Sequence, residues 1–183
     1  VTMALLTLYE ATSKTSYLEK AKEICSEAVE QFEDRERGGY FLYGKENDRL
    51  IVRPKETYDG AIPSGNSVLA YSLVRLAQLA GEEEWEERAR RQLAFLSNEA
   101  KGYPAAQSMF LLAQLFYENP PEKITAVLEH GVSKEEILAR LPLYADVRLL
   151  ERQTEEYRLK NNQTTYYICK EQTCFPPTNE EPF

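Results

Sequence analysis

The residues best suited to chemistry lie in one run, Arg53-Pro54-Lys55-Glu56-Thr57-Tyr58-Asp59-Gly60-Ala61-Ile62-Pro63-Ser64-Gly65-Asn66-Ser67, the densest polar, Gly- and Pro-rich segment of the chain. Asp59, with Glu56 beside it, supplies carboxylates of the kind that transfer protons or orient hydroxyls in sugar chemistry. Tyr58 offers a face on which a sugar ring can stack. Arg53, Ser64 and Asn66 bring polar groups to the start of a helix, where an anion or a hydroxyl can be oriented. The expected site is therefore Asp59 as the catalytic group with Arg53, Glu56, Tyr58, Ser64 and Asn66 as ligand-binding residues. The same residues also have a purely architectural reading. Ser64 is a good N-cap, Asp59-Gly60 a tight turn, and Arg53 an ion-pair partner for Glu56 or Asp59.

The remaining reactive side chains are few. Cys169 and Cys174 are separated by four residues, wider than common zinc or thioredoxin-type spacings, and no His lies nearby. That spacing argues against a metal site and favours two structural thiols, with a reversible disulfide and a redox role as the alternative. Cys25 falls on the apolar face of a helix and reads as core. His130 is the single histidine, so catalysis by a pair of histidines has no place in these residues. The sequence has no Gly-rich phosphate loop, nucleophile elbow or paired metal-ligand motif, and no cofactor is expected.

Helices must position the polar run. Residues 16–33 and 83–98 carry apolar side chains at three- and four-residue spacing with charges between, the pattern of a helix with one buried face. Residues 1–12, 65–80 and 103–117 are apolar nearly all round, which predicts burial on every side. The order inner, outer, inner, outer, inner predicts part of an α/α toroid of helical hairpins, mainly α, spanning residues 1–119. An internal repeat supports it: Leu5, Leu8, Ala11, Tyr17 and Ala21 match Leu73, Leu76, Leu79, Trp85 and Ala89 at a constant offset of 68 residues. Between the second and third helices, residues 34–64 form a long connection. Its segments 38–43 and 50–52 read as two short strands of a hairpin.

After Asn119-Pro120-Pro121 the character changes. Lys123 to Glu129 reads as a buried strand, Ser133 as the N-cap of a helix, and Val147 to Leu150 as a second strand. That order predicts a small parallel βαβ appendage over residues 120–183, with Thr165 to Cys169 able to add a third strand and an extended end at Pro176-Pro177.

Arg53-Pro54-Lys55, Tyr58-Asp59-Gly60-Ala61 and above all Pro63-Ser64-Gly65-Asn66-Ser67 resemble the YyaL-like, spermatogenesis-associated family of thioredoxin-domain-containing proteins. Tyr167-Ile168-Cys169, Cys174 and Pro176-Pro177-Thr178 resemble that family's ending, and Ala4-Leu5-Leu6 through Thr12 one of its helices. The resemblance implies a thioredoxin-like domain upstream, followed by a six-hairpin toroid similar to N-acylglucosamine 2-epimerases, with this chain as the C-terminal part. It also implies a sugar-sized cleft with Arg53 to Asn66 at its mouth. The histidines that serve as acid and base in those epimerases have no counterpart on the inner helices here.

Composition narrows the partners. With 183 residues, 43% of them hydrophobic, the chain can bury an ordinary core. The formal charge of −8, with no clustered Lys and Arg, argues against nucleic acid. No apolar run approaches the roughly 18 residues needed to span a bilayer. Three cysteines without a dense framework fit a reducing, cytoplasmic setting. The opening at Val1 inside an apolar helical pattern predicts a fragment that self-associates through 1–12 or 103–117. Two functions follow as expectations: a scaffold or interaction module beside a thioredoxin-like domain, or a carbohydrate-binding or carbohydrate-processing toroid using Asp59. The first predicts polar side chains tied up internally, the second an open polar cleft.

Overall fold

The computed structural model describes residues 1–47, 52–142, 145–170 and 173–182. These form six α-helices and a four-stranded mixed sheet, divided between two compact units: residues 1–9 with 14–119, and residues 10–13 with 120–183.

The helices α1 (Thr2–Thr12, of which residues 2–9 belong to the first unit), α2 (Thr15–Phe32), α3 (Gly65–Ala80), α4 (Glu83–Ala100) and α5 (Ser108–Glu118) follow the apolar periodicity closely. The fifth helix starts later than its apolar residues suggest. Pro104 opens a 3₁₀ turn, Pro104–Ala106, and Gln107 departs from helical geometry before α5 begins. α3 is the centre of this unit, packed by α4, α5 and α2, and it buries Ala70, Leu73, Val74 and Leu76. Ala21, Cys25, Ala89, Leu93, Leu96, Phe110 and Ala113 complete the core around it. Burial of Cys25 pushes its thiol up to about 12 against the opposing pull of Arg88, so it stays protonated at neutral pH.

Two expectations fail here. Only α3 of the three highly apolar helices is enclosed, because it has helices on several sides. α5 leaves Leu111, Leu112 and Leu115 exposed, and α1 leaves Met3 and Leu8 exposed. The hairpin in the connection is absent from its first half: residues 38–43 form no strand, only an isolated bridge between Tyr40 and Glu33. Gly38 and Gly39 both adopt positive φ, 75° and 73°, which breaks an extended run, and the Phe95 ring lies where a Cβ at Gly39 would sit. Leu50 and Ile51 of the expected second strand lie outside the described residues.

The second unit contains β1 (Lys123–Val127), α6 (Lys134–Arg140), β2 (Asp146–Leu150), β3 (Thr165–Lys170) and β4 (Thr173–Cys174) in the sheet order β2-β1-β3-β4. β1 and β2 are parallel and joined through α6, the βαβ unit read from the pattern, with Ser133 Oγ accepting from the Glu136 amide as N-cap. β3 pairs antiparallel with β1, and β4 with β3. Ile124, Ala126, Leu128, Ile137, Leu149 and Tyr166 form the core. The β3–β4 register sets Cys169 opposite Cys174, and the two form a disulfide, not the free thiols favoured by spacing alone. Spacing does not reveal a strand register. No helix among the described residues is long and apolar enough to cross a membrane.

Candidate functional site

Helix α3 begins where the polar run ends. Ser64 has extended backbone, φ −65° and ψ 151°, and its Oγ accepts from the Ser67 amide at 3.1 Å while also bonding Ser67 Oγ at 2.9 Å. This is an N-cap, satisfying one of the amides that a helix start leaves unpaired.

Asp59 is buried, and both its carboxylate oxygens are occupied by backbone donors. Oδ1 accepts from Ser64 N at 2.8 Å; Oδ2 accepts from Met109 N at 2.9 Å and Phe110 N at 3.2 Å. Met109 and Phe110 are the second and third residues of α5, whose own N-cap residue, Gln107, makes no side-chain cap. The carboxylate therefore caps α5 from 50 residues away and meets the positive end of its dipole. The Asp59 amide in turn donates to Ala106 O at 2.7 Å, completing a clasp between the connection and the turn before α5.

Asn66 is buried and uses its amide fully. Oδ1 accepts from Tyr40 N at 2.8 Å and from Gln92 Nε2 at 3.1 Å, and Nδ2 donates to Tyr40 O at 2.9 Å and Glu56 O at 2.8 Å. One side chain thus fixes Tyr40, Glu56 and α4 against the start of α3. Buried and beside Glu33, the Tyr40 hydroxyl is pushed well above its ordinary pKa, burial being the larger cause.

Arg53 donates to Tyr43 O at 2.7 Å, and its guanidinium lies 3.9 Å from the centre of the Phe41 ring. Neither Glu56 nor Asp59 is its partner in this arrangement. Tyr58 and the Glu56 side chain are exposed, and the Tyr58 ring packs over Gly60. Of the six residues singled out from sequence, Asp59, Ser64 and Asn66 converge around the start of α3, while Arg53, Glu56 and Tyr58 lie outside that buried knot.

Lys55 lies in the polar run but is not among its expected site residues, and it organises the connection. Its ammonium forms an ion pair with Asp34 at 2.8 Å, donates to Gly38 O, and sits 5.1 Å from the centres of both the Phe41 and Phe95 rings. Burial tends to raise the Asp34 pKa, but the Lys55 hydrogen bond and the amides of Arg37 and Glu36 outweigh it and hold the carboxyl below its usual range. The available signal was the Gly38-Gly39 pair, which brings backbone within reach of a cation. Gln92 was equally unmarked; its position three residues after Ala89 on the buried face of α4 was the clue.

Beside this knot lies a cavity of about 390 Å³ within the first unit, lined by Thr2, Phe32, Phe41, Leu42, Leu69 and Asn66 among others. Its volume suits a small molecule and its wall is mainly apolar. Glu56 reaches its edge, while the Asp59 carboxylate is not part of its lining. Among the described residues no cluster of three His, Cys, Asp or Glu is arranged to hold a metal ion.

No protein-family model matches the chain. Among curated proteins it is 29% identical to human spermatogenesis-associated protein 20 and 30% identical to the protein of that name from Rattus norvegicus, each over 98% of this chain. An uncharacterized protein of Caenorhabditis elegans is 33% identical over 56% of the chain and 14% of its own length. The family resemblance carried by the Asp59 to Ser67 motif is thereby borne out: along nearly its whole length the chain matches spermatogenesis-associated protein 20, of which it spans about a quarter.

Proposed function

We propose that this chain is a scaffold and interaction module, a portion of an α/α toroid within a longer thioredoxin-domain-containing protein, and that its signature motif serves architecture and not turnover. The observation that carries this reading is the engagement of the Asp59 carboxylate by three backbone amides, with Asn66 and Ser64 equally committed. Three of the acceptor positions of this buried carboxylate are spent on backbone amides of the fold, whereas a catalytic acid or base needs its carboxyl within hydrogen-bond reach of substrate. The exposed Leu111, Leu112 and Leu115 of α5 supply the surface by which the module meets the remainder of the longer protein.

The cavity favours a second reading, a carbohydrate-binding toroid, since its volume holds a sugar ring and Glu56 and Asn66 border it. Calorimetry and thermal shift of sugars and sugar phosphates against the full-length protein, with Asp59→Asn alongside, separate the two. The scaffold reading expects no sugar response and a stability loss of about 2–3 kcal/mol in Asp59→Asn, because charge-assisted bonds are lost and an amide NH₂ faces N–H donors. A sugar that stabilises the wild type overturns it, whether the binding survives in Asp59→Asn, as expected of a ligand in the cavity, or is lost in an Asp59→Asn protein of unchanged stability.

A further inference from the structure

We propose that the Cys169–Cys174 bridge is a thiol–disulfide exchange site, opened by a dithiol reductant whose thiolate attacks Cys174 Sγ. The bridge lies at the edge of the sheet, in a hairpin whose second strand is only two residues long and exposed on both. Cys174 is exposed and Cys169 half-buried, so an incoming thiolate reaches Cys174 first. Accessible disulfides are the labile ones, while buried ones serve as staples.

The bridge is also a weak staple for the segment it begins. It links residues only five apart in sequence, and short loops gain least from cross-linking. The strand-like tail after it is held independently. Phe175 N donates to Ile168 O at 2.9 Å, and Tyr166 and Thr178 exchange two backbone bonds of 2.8 and 3.1 Å. Asn179 Nδ2 donates to Thr164 O at 2.9 Å and Lys160 O at 3.0 Å, and Glu181 pairs with Arg140 at 2.9 Å. Opening the bridge leaves all of these in place, so exchange does not require unfolding.

The direction of attack has a second support. Lys123 is the register partner of Cys169 across β1 and β3, so the two side chains leave the same face of the sheet. An ammonium across from Cys169 favours the thiolate that departs there, and a better leaving group speeds exchange. The incoming thiolate forms a bond to Cys174 Sγ as the bridge breaks, its electron pair leaving on Cys169. The reductant's second thiolate then displaces Cys174. Two electrons pass from the dithiol, which becomes a disulfide, and the two cysteine thiolates each take up a proton.

Dithiothreitol titration of the folded protein, read by differential alkylation and mass spectrometry with near- and far-UV circular dichroism in parallel, tests this. The expected result is complete opening of the bridge with unchanged circular dichroism and an unlabelled Cys25. With glutathione as the probe, the mixed disulfide should form at Cys174 in at least about tenfold excess over Cys169. Opening only together with loss of the dichroism signal overturns the proposal, as does a glutathione adduct on Cys169 or recovery of both residues as free thiols without reductant.

Discussion

In the first helical hairpin, α1 turns into α2 through Ser13 at φ 52°; in the second, α3 turns into α4 through Gly81 at φ 68°, 68 residues further on. The second helix of each hairpin begins at Thr15 and Glu83, again at the repeat offset, and Ala21 and Ala89 are both fully buried. The enclosure differs. Leu76 is 0% exposed and its counterpart Leu8 is 43% exposed; Trp85 is buried where Tyr17 is half-buried. The repeat therefore encodes turn and helix phase, while the neighbours of a helix decide how much of its apolar surface is covered. An all-round apolar helix states a capacity for burial, and only α3 has helices enough around it to use that capacity.

The two hairpins also leave differently. After α2 the chain takes the long connection pinned by Lys55, Asn66 and Asp59; after α4 only a short turn leads to α5.

The largest asymmetry is expected between the paired leucines. Leu76→Ala should cost about 2–5 kcal/mol, as a fully enclosed leucine leaves a cavity, while Leu8→Ala should cost less than about 1 kcal/mol. Urea unfolding of the two variants measures both, and equal losses would show that α1 is as enclosed as α3.

The long connection is expected to fail in acid through Asp34. Its pKa is lower folded than unfolded, so the unfolded chain binds the proton more readily and stability falls as pH drops. The contribution is present above the ordinary carboxylate value, near 4, and is lost as pH falls through the lower folded value. Asp34→Asn should lower stability by about 1–2 kcal/mol at pH 7, and the gap to wild type should begin to narrow at about pH 4 and close as pH falls through the lower folded value. A gap independent of pH would place the effect elsewhere than in the ion pair with Lys55.

The turns should give the smallest and most symmetrical effects. Gly81→Ala puts a Cβ into the left-handed region and should cost about 1 kcal/mol, whereas Ser13→Gly should gain up to about 1 kcal/mol. Ser13 Oγ is moreover buried without a hydrogen-bond partner, so its removal loses nothing. Thermal unfolding of the pair checks the opposite signs.

Much of the helical order was legible because apolar spacing survives in every helix, and the Ser64 and Ser133 caps were legible because a cap is local. The strand expected around Tyr40 was not, since apolar alternation there reports packing onto α2 and α4, and the two left-handed glycines that prevent pairing look in sequence like an ordinary turn. Asp59 stood out as a special carboxylate, but its direction did not. The groups that claim it, the amides of Met109 and Phe110, carry no side-chain signature and lie 50 residues away.

That distance has a kinetic consequence. The first amides of an ordinary helix exchange their hydrogens with solvent whenever the end frays. Here the Ser64, Met109 and Phe110 amides share one carboxylate, so none is released until Asp59 withdraws. The starts of α3 and α5 open as one event, and deuterium enters two separate stretches of the chain, at Ser64 and at Met109-Phe110, on a common clock.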